Sequence, residues 1–172
     1  GMERDYDGDS RIFREDLRNA NDVGYLAGTR AIALMGARKP PTGIFPVIYD
    51  ERISSGLIGH LLAATNGAAV SRGASWLQTA MNTSVLPDGI SLIENPNRPR
   101  VGGSRPFDAE GLCVAERQIV SDGFLKEWTL DLSTAAKLGL SSTGSAMRSP
   151  SSPPSPGVGN VELTQGELSQ KE

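Results

Sequence analysis

The chain has 172 residues, of which 38% are hydrophobic, and it carries a formal net charge of −3. This length suffices for one domain with its own core, and the charge does not favour nucleic-acid binding. The apolar stretches are far shorter than a membrane span, and one cysteine excludes an internal disulfide. We therefore expect a cytoplasmic protein without a membrane segment.

The first 43 residues are predicted to be a polar lead-in followed by a connecting helix. Apolar positions recur at helical spacing over 16–37, with a break near 19–22. The cations and prolines of 38–43 end this helix, because proline cannot continue it. The next segment, 44–49, is uniformly apolar and predicts a buried strand, in which Pro46 favours an edge strand or an early position in the strand.

A second helix is predicted to contain the only histidine. Asp50 is its expected N-cap and Gly67 its expected C-terminal stop. His60 falls on the apolar face of this helix, so we expect it to be a packed core histidine. The residues that define this face are Ile53, Leu57, His60, Leu61 and Ala64.

Short elements are predicted over the following part of the chain. Asp122-Gly123 is a strong signal for a two-residue hairpin turn, and Ser133 and Gly139 are the expected caps of a short helix. Loose alternation of helices with an antiparallel hairpin indicates an α+β fold. The predicted elements are a helix over 75–81, a strand over 90–93, a hairpin over 112–131 and a helix over 133–138.

The C-terminal part is dominated by small and polar residues. Fifteen of the nineteen residues in 141–159 are Ser, Thr, Gly or Pro, which predicts a mobile loop, and a strand is expected near 161–163. The last four residues, 169–172, fit a capping box whose helix would follow them. We therefore expect the chain to be part of a longer protein, with the glycine before the first methionine as a cloning scar or an internal residue. The expected organisation is 1–43 lead-in and helix, 44–140 α+β core, 141–160 flexible loop and 161–172 the start of a truncated remainder.

Three runs of residues resemble the TldD/PmbA family, known both as modulators of DNA gyrase and as two-subunit metallopeptidases. The catalytic TldD-type subunit carries H-E-x-x-x-H on the histidine helix; here Ser55 stands at the first histidine, Gly56 at the glutamate, and His60 retains the second histidine. This departure is similar to that of the PmbA (TldE-like) subunit. The other two runs are P-F-D-x-E-G over 106–111 and T-A-A-K-L-G-L over 134–140.

The resemblance implies a part of the PmbA/TldD C-terminal domain and a non-catalytic subunit. It implies a heterodimer with a TldD-type subunit that holds the zinc, and an extended peptide as substrate for proteolysis or maturation. No cofactor is then expected in this chain, and activity alone is not expected; self-association is a further expectation. The alternative is a regulatory binding module that acts on DNA gyrase or another protein partner.

The residue inventory leads to the expectation that the chain has neither a catalytic residue nor a metal site. A catalytic zinc generally takes three protein ligands, and Glu51 lies about 180° around the helix from His60. Ser54 and Ser55 lie on other faces from His60, so a serine nucleophile lacks its base. With Gly56 at the glutamate position, there is also no carboxylate to activate a zinc-bound water.

The remaining candidate residues receive mainly structural interpretations. Gly56 and Gly59 are expected to allow close helix packing; the alternative is that they preserve a local helix distortion that brings the two histidine positions of the motif together. Cys113 is expected to be a buried structural thiol. Asp108 and Glu110 are expected to form a structural turn rather than an acid–base pair.

One basic cluster has two interpretations. Arg98, Arg100 and Arg105 fall within a Pro/Gly-rich loop. They form either a solvated surface or a contact for an anion, such as a substrate carboxylate or an acidic partner.

Overall fold

The fold is α+β, as expected from the sequence. The computed structural model describes residues 2–166, so the predicted capping box at 169–172 lies outside the described residues. The chain divides into two compact units, Gly1–Ile48 with Arg100–Gly102, and Tyr49–Pro99 with Gly103–Glu172. No helix of the described part is long and apolar enough to cross a membrane.

The first unit is a helix with an ion-paired lead-in. A 3-10 turn, Arg14–Asp16, precedes helix α1, Ala20–Ala33. The predicted break is confirmed, because the Asn19 side chain caps α1 by accepting a hydrogen bond from a backbone N–H. No residue of 2–48 is buried. Asp7 contacts Arg18 at 2.8 Å and Arg30 at 3.1 Å, so ion pairs take the place of a core in this unit.

The prediction of a buried strand over 44–49 is wrong. The segment has no regular secondary structure, and its large side chains are exposed: 104% for Ile44, 67% for Val47 and 73% for Ile48. The composition is typical of a strand, but no described residue pairs with the segment. The apolar composition of segment 44–49 therefore does not lead to its burial.

The second unit contains the histidine helix and two shorter helices: α2, Glu51–Ala64; α3, Gly67–Val70; and α4, Leu132–Leu138. Asp50 caps α2 as predicted, accepting from the Arg52 N–H. Gly67 is not the stop of α2 but the first residue of α3. A Cβ at Gly67 would lie 2.5 Å from Leu130 Cδ2, so glycine is used there for close packing.

Helix α4 has the predicted end and a different start. Gly139 closes it with φ of 68° in the left-handed region, which glycine adopts without strain. Asp131, rather than Ser133, is the N-cap and forms a capping box with Thr134. The carboxylate of Asp131 accepts from the Thr134 N–H at 2.7 Å, so the acidic side chain satisfies the first turn.

A four-stranded antiparallel sheet forms the centre of the second unit, in the order β3-β2-β1-β6. The predicted hairpin turn is confirmed: Asp122 (φ 49°) and Gly123 (φ 79°) are both left-handed, as in a type I′ turn. The helix predicted over 75–81 is replaced by turns. The strands are β1, Leu92–Glu94; β2, Arg117–Ser121; β3, Phe124–Leu125; and β6, Val161–Leu163.

A second, two-stranded pair lies in the segment predicted to be a mobile loop. Strands β4, Ala146–Met147, and β5, Ser155–Pro156, pair antiparallel, and Ser145 and Ala146 are buried. Composition underestimated the order of this segment because its hydrogen bonds go to distant residues. Mobility itself stays a prediction, now centred on the exposed tip at 148–153.

The core of the second unit lies between the sheet and α2, α3 and α4. Only the C-terminal part of α2 contributes buried side chains. Trp128 closes the core beside β2 and β3, with 6% of its surface exposed. The fully covered sheet residues are Leu92, Ile119, Val120 and Leu125.

Candidate functional site

The residues of the motif window lie along an exposed side of α2. Along the predicted apolar face, exposure falls from 62% at Ile53 and 49% at Leu57 to 6% at Leu61. Ser55, Gly56 and His60 are all exposed. The prediction of a core histidine is therefore wrong, because the buried residues of this helix are Leu61 and Ala64 and His60 stays exposed beside them.

The two glycines of α2 do not serve close packing. A Cβ built at Gly56 or at Gly59 would meet no atom within 4 Å outside its immediate surroundings, so the packing interpretation is wrong for the described chain. Both positions leave backbone open along an exposed helix face. Ser54 uses its hydroxyl inside the helix, donating to the Glu51 carbonyl at 3.0 Å.

An apolar groove runs between α2 and β6, with a volume of about 480 Å³. Ser55 and Gly59 form part of its helix wall, and Val161 and Leu163 its strand wall. None of its lining residues carries a charge. We refer to it as the α2–β6 groove; its apolar lining is Leu57, Ile58, Leu62, Val158, Val161 and Leu163.

The motif window does not fit a zinc ion. Ser55 and Gly56 provide neither the imidazole nor the carboxylate of H-E-x-x-x-H, and His60 is one ligand where three are generally used. Within residues 2–166, no three His, Cys, Asp or Glu side chains lie close enough to hold a metal ion. These residues offer neither a full set of zinc ligands nor a base for a zinc-bound water. The expectation that the chain binds no zinc stays a prediction.

A second cavity, of about 770 Å³, lies beside the β2–β3 hairpin; we call it the hairpin cavity. Cys113 lines it and is exposed, so the prediction of a buried thiol is wrong. Sequence reasoning also missed Arg117, Glu127 and Trp128, which line the same cavity. Only a weak signal in the sequence pointed to these residues: two adjacent residues of opposite charge stand where the hairpin begins, and two more stand just after it.

A buried ion network centred on Glu94 lies behind this cavity. Glu94 is 2% exposed and accepts from Arg117 Nε at 2.9 Å and from Gly159 N at 2.6 Å. Arg105 Nη2 lies 3.6 Å from Glu94 Oε1, the oxygen that accepts from Gly159 N. Arg117 also donates to the Trp128 carbonyl at 3.3 Å. The network joins β1, β2 and the segment before β6.

The P-F-D-x-E-G run is confirmed as a structural turn. Asp108 Oδ1 accepts from the N–H groups of Glu110 and Leu112, both at 2.9 Å, and Oδ2 from Ala146 N at 3.1 Å. Glu110 accepts from Leu132 N at 2.9 Å. Both carboxylates are used to hold the starts of α4 and β4.

The three candidate arginines each lie beside a carboxylate of this chain. Arg98 lies 3.9 Å from Glu162 on the surface, and Arg105 points to buried Glu94. In the first unit, Arg100 contacts Glu15 at 2.8 Å, and this hydrogen bond lowers the pKa of the Glu15 carboxyl. Contact with an external anion stays a prediction, and it would have to compete with these pairs.

These features define an α+β domain with an exposed helix, α2, that carries the chain's only histidine. Residues 42–172 match the family model of the PmbA/TldA metallopeptidase C-terminal domain, and the chain belongs to that family. The Escherichia coli O157:H7 protein named metalloprotease PmbA is 37% identical over 145 residues. That match covers 84% of this chain and 32% of the relative, so the chain spans about a third of its length.

Solved structures agree with this assignment. A Thermotoga maritima protein, assigned provisionally as a modulator of a DNA gyrase, superimposes with a TM-score of 0.80 at 28% identity. The match covers 94% of this chain and 36% of that one. TldE from Thermococcus kodakarensis, with a TM-score of 0.58, 23% identity, 64% of this chain and 25% of that one covered, supports the fold alone.

Proposed function

We propose that the chain is part of a non-catalytic, PmbA/TldE-type subunit of a TldD–PmbA metallopeptidase complex that acts on extended peptides. Family membership supports the class of protein. The observation that supports the proposal is the sequence of α2, in which the resemblance puts Ser55 at the ligand position and Gly56 at the base position. The relatives named metalloprotease PmbA make a role in proteolysis the natural context.

The loss of two motif residues removes separate parts of the chemistry. Hydrolysis at zinc needs ligands that hold the ion and a base that takes a proton from its bound water. A serine hydroxyl and a glycine hydrogen supply neither. His60 is exposed and belongs to no group of three or more His, Cys, Asp or Glu side chains within residues 2–166. It cannot replace them alone, so the zinc is assigned to a TldD-type partner.

The exposure of the motif face supports an assembly role. Ile53 and Leu57 are about half or more exposed although they lie on the apolar face of α2. Exposed apolar surface of this kind is typical of a contact with another protein.

Co-expression of the full-length protein with the TldD-type partner of the same genome tests the proposal. We expect peptide cleavage and zinc only when the partner is present. His60→Ala in this chain should leave the zinc content unchanged, and Ile53→Glu should weaken assembly without unfolding the chain. The matched control is substitution of the motif glutamate in the partner, which should abolish cleavage while the complex still forms.

Two results would contradict the proposal. One is a tightly held zinc in this chain alone that is lost on His60→Ala. The other is separate elution of the two proteins at micromolar concentration with no joint cleavage. Salt-dependent binding of this chain alone to DNA gyrase would then favour the regulatory module.

A further inference from the structure

Asn66 and Gly67 form the joint between α2 and α3. Asn66 is the N-cap of α3, and its side-chain oxygen accepts from the Ala68 N–H at 2.9 Å. Its side-chain nitrogen donates to the Pro156 carbonyl at 2.8 Å, which ties the joint to β5. Both ends of the Asn66 amide are therefore used inside the second unit.

The backbone at this joint pairs with the segment before α4. Gly67 N donates to the Thr129 carbonyl at 2.8 Å, and Thr129 N donates to the Thr65 carbonyl at 3.0 Å. Thr65 and Thr129 are buried. The Thr129 side chain is held in turn by Arg117, whose Nη2 donates to Thr129 Oγ1 at 3.0 Å. The Glu94 network therefore extends through Arg117 to the end of α2.

Asn66-Gly67 is also a reactive dipeptide. Asparagine is thermolabile, because the backbone nitrogen of the next residue can attack its side-chain carbonyl carbon. A side chain on the next residue hinders this attack, and glycine has none. Asn66 is the only asparagine of the chain that glycine follows. Packing requires this glycine, since a Cβ at Gly67 would lie 2.5 Å from Leu130 Cδ2 and 2.9 Å from the Thr129 carbonyl oxygen.

We propose that Asn66-Gly67 is a deamidation site that the pairing with Thr129 keeps closed in the folded chain. In the reaction, the Gly67 nitrogen loses its proton and bonds to Asn66 Cγ, and the side-chain nitrogen leaves as ammonia. Water then opens the resulting succinimide ring at either of its two carbonyl groups, which gives aspartate or isoaspartate at this position. The reaction needs neither an oxidant nor a reductant.

The fold closes the site by holding both reacting groups. The nucleophile, Gly67 N, is committed to the Thr129 carbonyl. The electrophilic amide of Asn66 is committed to Ala68 and Pro156. The ring can form only after these three hydrogen bonds break and the joint between α2 and α3 opens. The rate in the folded chain is then the open fraction multiplied by the rate in the unfolded chain.

Deamidation would mark chains whose joint has opened, and refolding would not reverse it. A carboxylate in place of the Asn66 amide can still cap α3, but it has no N–H for the Pro156 carbonyl, which is left facing a negative charge. Isoaspartate also adds a methylene to the backbone and displaces Gly67 N from Thr129. Either product loosens the end of α2, which carries the buried residues of that helix.

Peptide mapping by mass spectrometry tests this inference on the full-length protein at mildly alkaline pH, without a peptidase partner and so independently of the proposed function. In urea, we expect Asn66 to deamidate faster than every other asparagine of this chain. In the folded protein its rate should be at least about tenfold lower. The control is Asn66→Ser, because serine retains a capping oxygen but has no amide, and it should abolish the product.

Two variants test the contacts that close the site. Thr129→Val removes the hydroxyl that accepts from Arg117 and leaves the pair between Arg117 and Glu94 in place. Arg117→Lys removes the hydrogen bonds to Thr129 and Trp128 and keeps the positive charge. Each should raise the rate in the folded protein at least about threefold and leave the rate in urea unchanged. Arg98→Lys, on the surface, should change neither rate.

Hydrogen exchange distinguishes opening of the joint from global unfolding. In both variants, exchange should accelerate more at Gly67 N than at Val120 N, which lies on the buried strand β2. An equal acceleration at the two amides would overturn closure by the joint, as would unchanged deamidation of the folded protein in both variants. Equal rates in folded and unfolded protein, or an asparagine of this chain that reacts faster than Asn66 in urea, would overturn the site itself.

Discussion

Replacement of Glu94 by alanine should cause a large loss of stability. The substitution leaves the Arg117 guanidinium, 9% exposed, without its carboxylate at 2.8 Å, and leaves the Gly159 N–H unpaired. Breaking a buried pair from one side typically costs about 3–5 kcal/mol, and an unsatisfied N–H costs about 1–3 kcal/mol. These costs overlap, so we expect about 4 kcal/mol.

Urea unfolding followed by tryptophan fluorescence measures this change. Trp128 is buried and its carbonyl accepts from Arg117, so its emission reports on the network. The expected loss is a large fraction of the ~5–15 kcal/mol that stabilises a typical domain. Glu127→Gln is the control, because Glu127 contacts the same Arg117 at 3.5 Å while 44% exposed and should cost less than about 1 kcal/mol.

The double variant Glu94→Met with Arg117→Met separates charge burial from packing. Apolar replacement of both members of a buried pair is often close to neutral, so the double variant should be more stable than Glu94→Ala. A cost for Glu94→Ala within about 1 kcal/mol of zero, at an unchanged denaturant slope, would refute the assignment of Glu94 as the centre of the network.

Three further predictions concern two glycines, one exposed loop tip and one carboxylate. Gly67→Ala should lower the free energy of unfolding by about 1–3 kcal/mol through overpacking, because its Cβ would fall 2.9 Å from a backbone carbonyl oxygen. Gly56→Ala, with open space around it, should gain up to ~1 kcal/mol of helix stability. Thermal melts compare the two variants. Limited proteolysis should cut within the exposed tip at 148–153 before the β2–β3 hairpin; earlier cleavage of the hairpin would count against this. The hydrogen bond from Arg18 N lowers the pKa of the Asp9 carboxyl, so its contribution is present above the ordinary Asp range and is lost as pH falls through the lowered pKa. A smaller protection factor at the Arg18 amide below this pKa, calculated against the intrinsic exchange rate at each pH, would show this, and protection unaffected by Asp9 protonation would contradict it.

Local signals in the sequence predicted the local features of the fold. The Asp122-Gly123 turn, the Asp50 cap and the Gly139 end of α4 depend on a few neighbouring residues, and all three are present. The start of α4 was misplaced because Asp131 and Ser133 both suit an N-cap. Only the capping box with Thr134 decides between them.

Burial could not be predicted in the same way, since it depends on what covers a face. His60 lies on an apolar helix face, yet the sheet beneath α2 does not reach it. The segment 44–49 has the composition of a buried strand but pairs with no strand among the described residues. Glu94 was missed for the opposite reason: a carboxylate within an apolar strand is recognised as buried only when Arg117, 23 residues later, is seen beside it.

The sheet order has a consequence for synthesis. β1 receives β2 from nearby in sequence, but its other neighbour, β6, is made about 70 residues later. At roughly 5–20 residues per second, the ribosome needs several seconds to supply it. During that interval the flank of β1 that will receive β6 is a nascent, unpaired edge, and the carboxylate of Glu94 still lacks the Gly159 amide. We expect this charge to act as a gatekeeper against premature pairing until the last strand arrives.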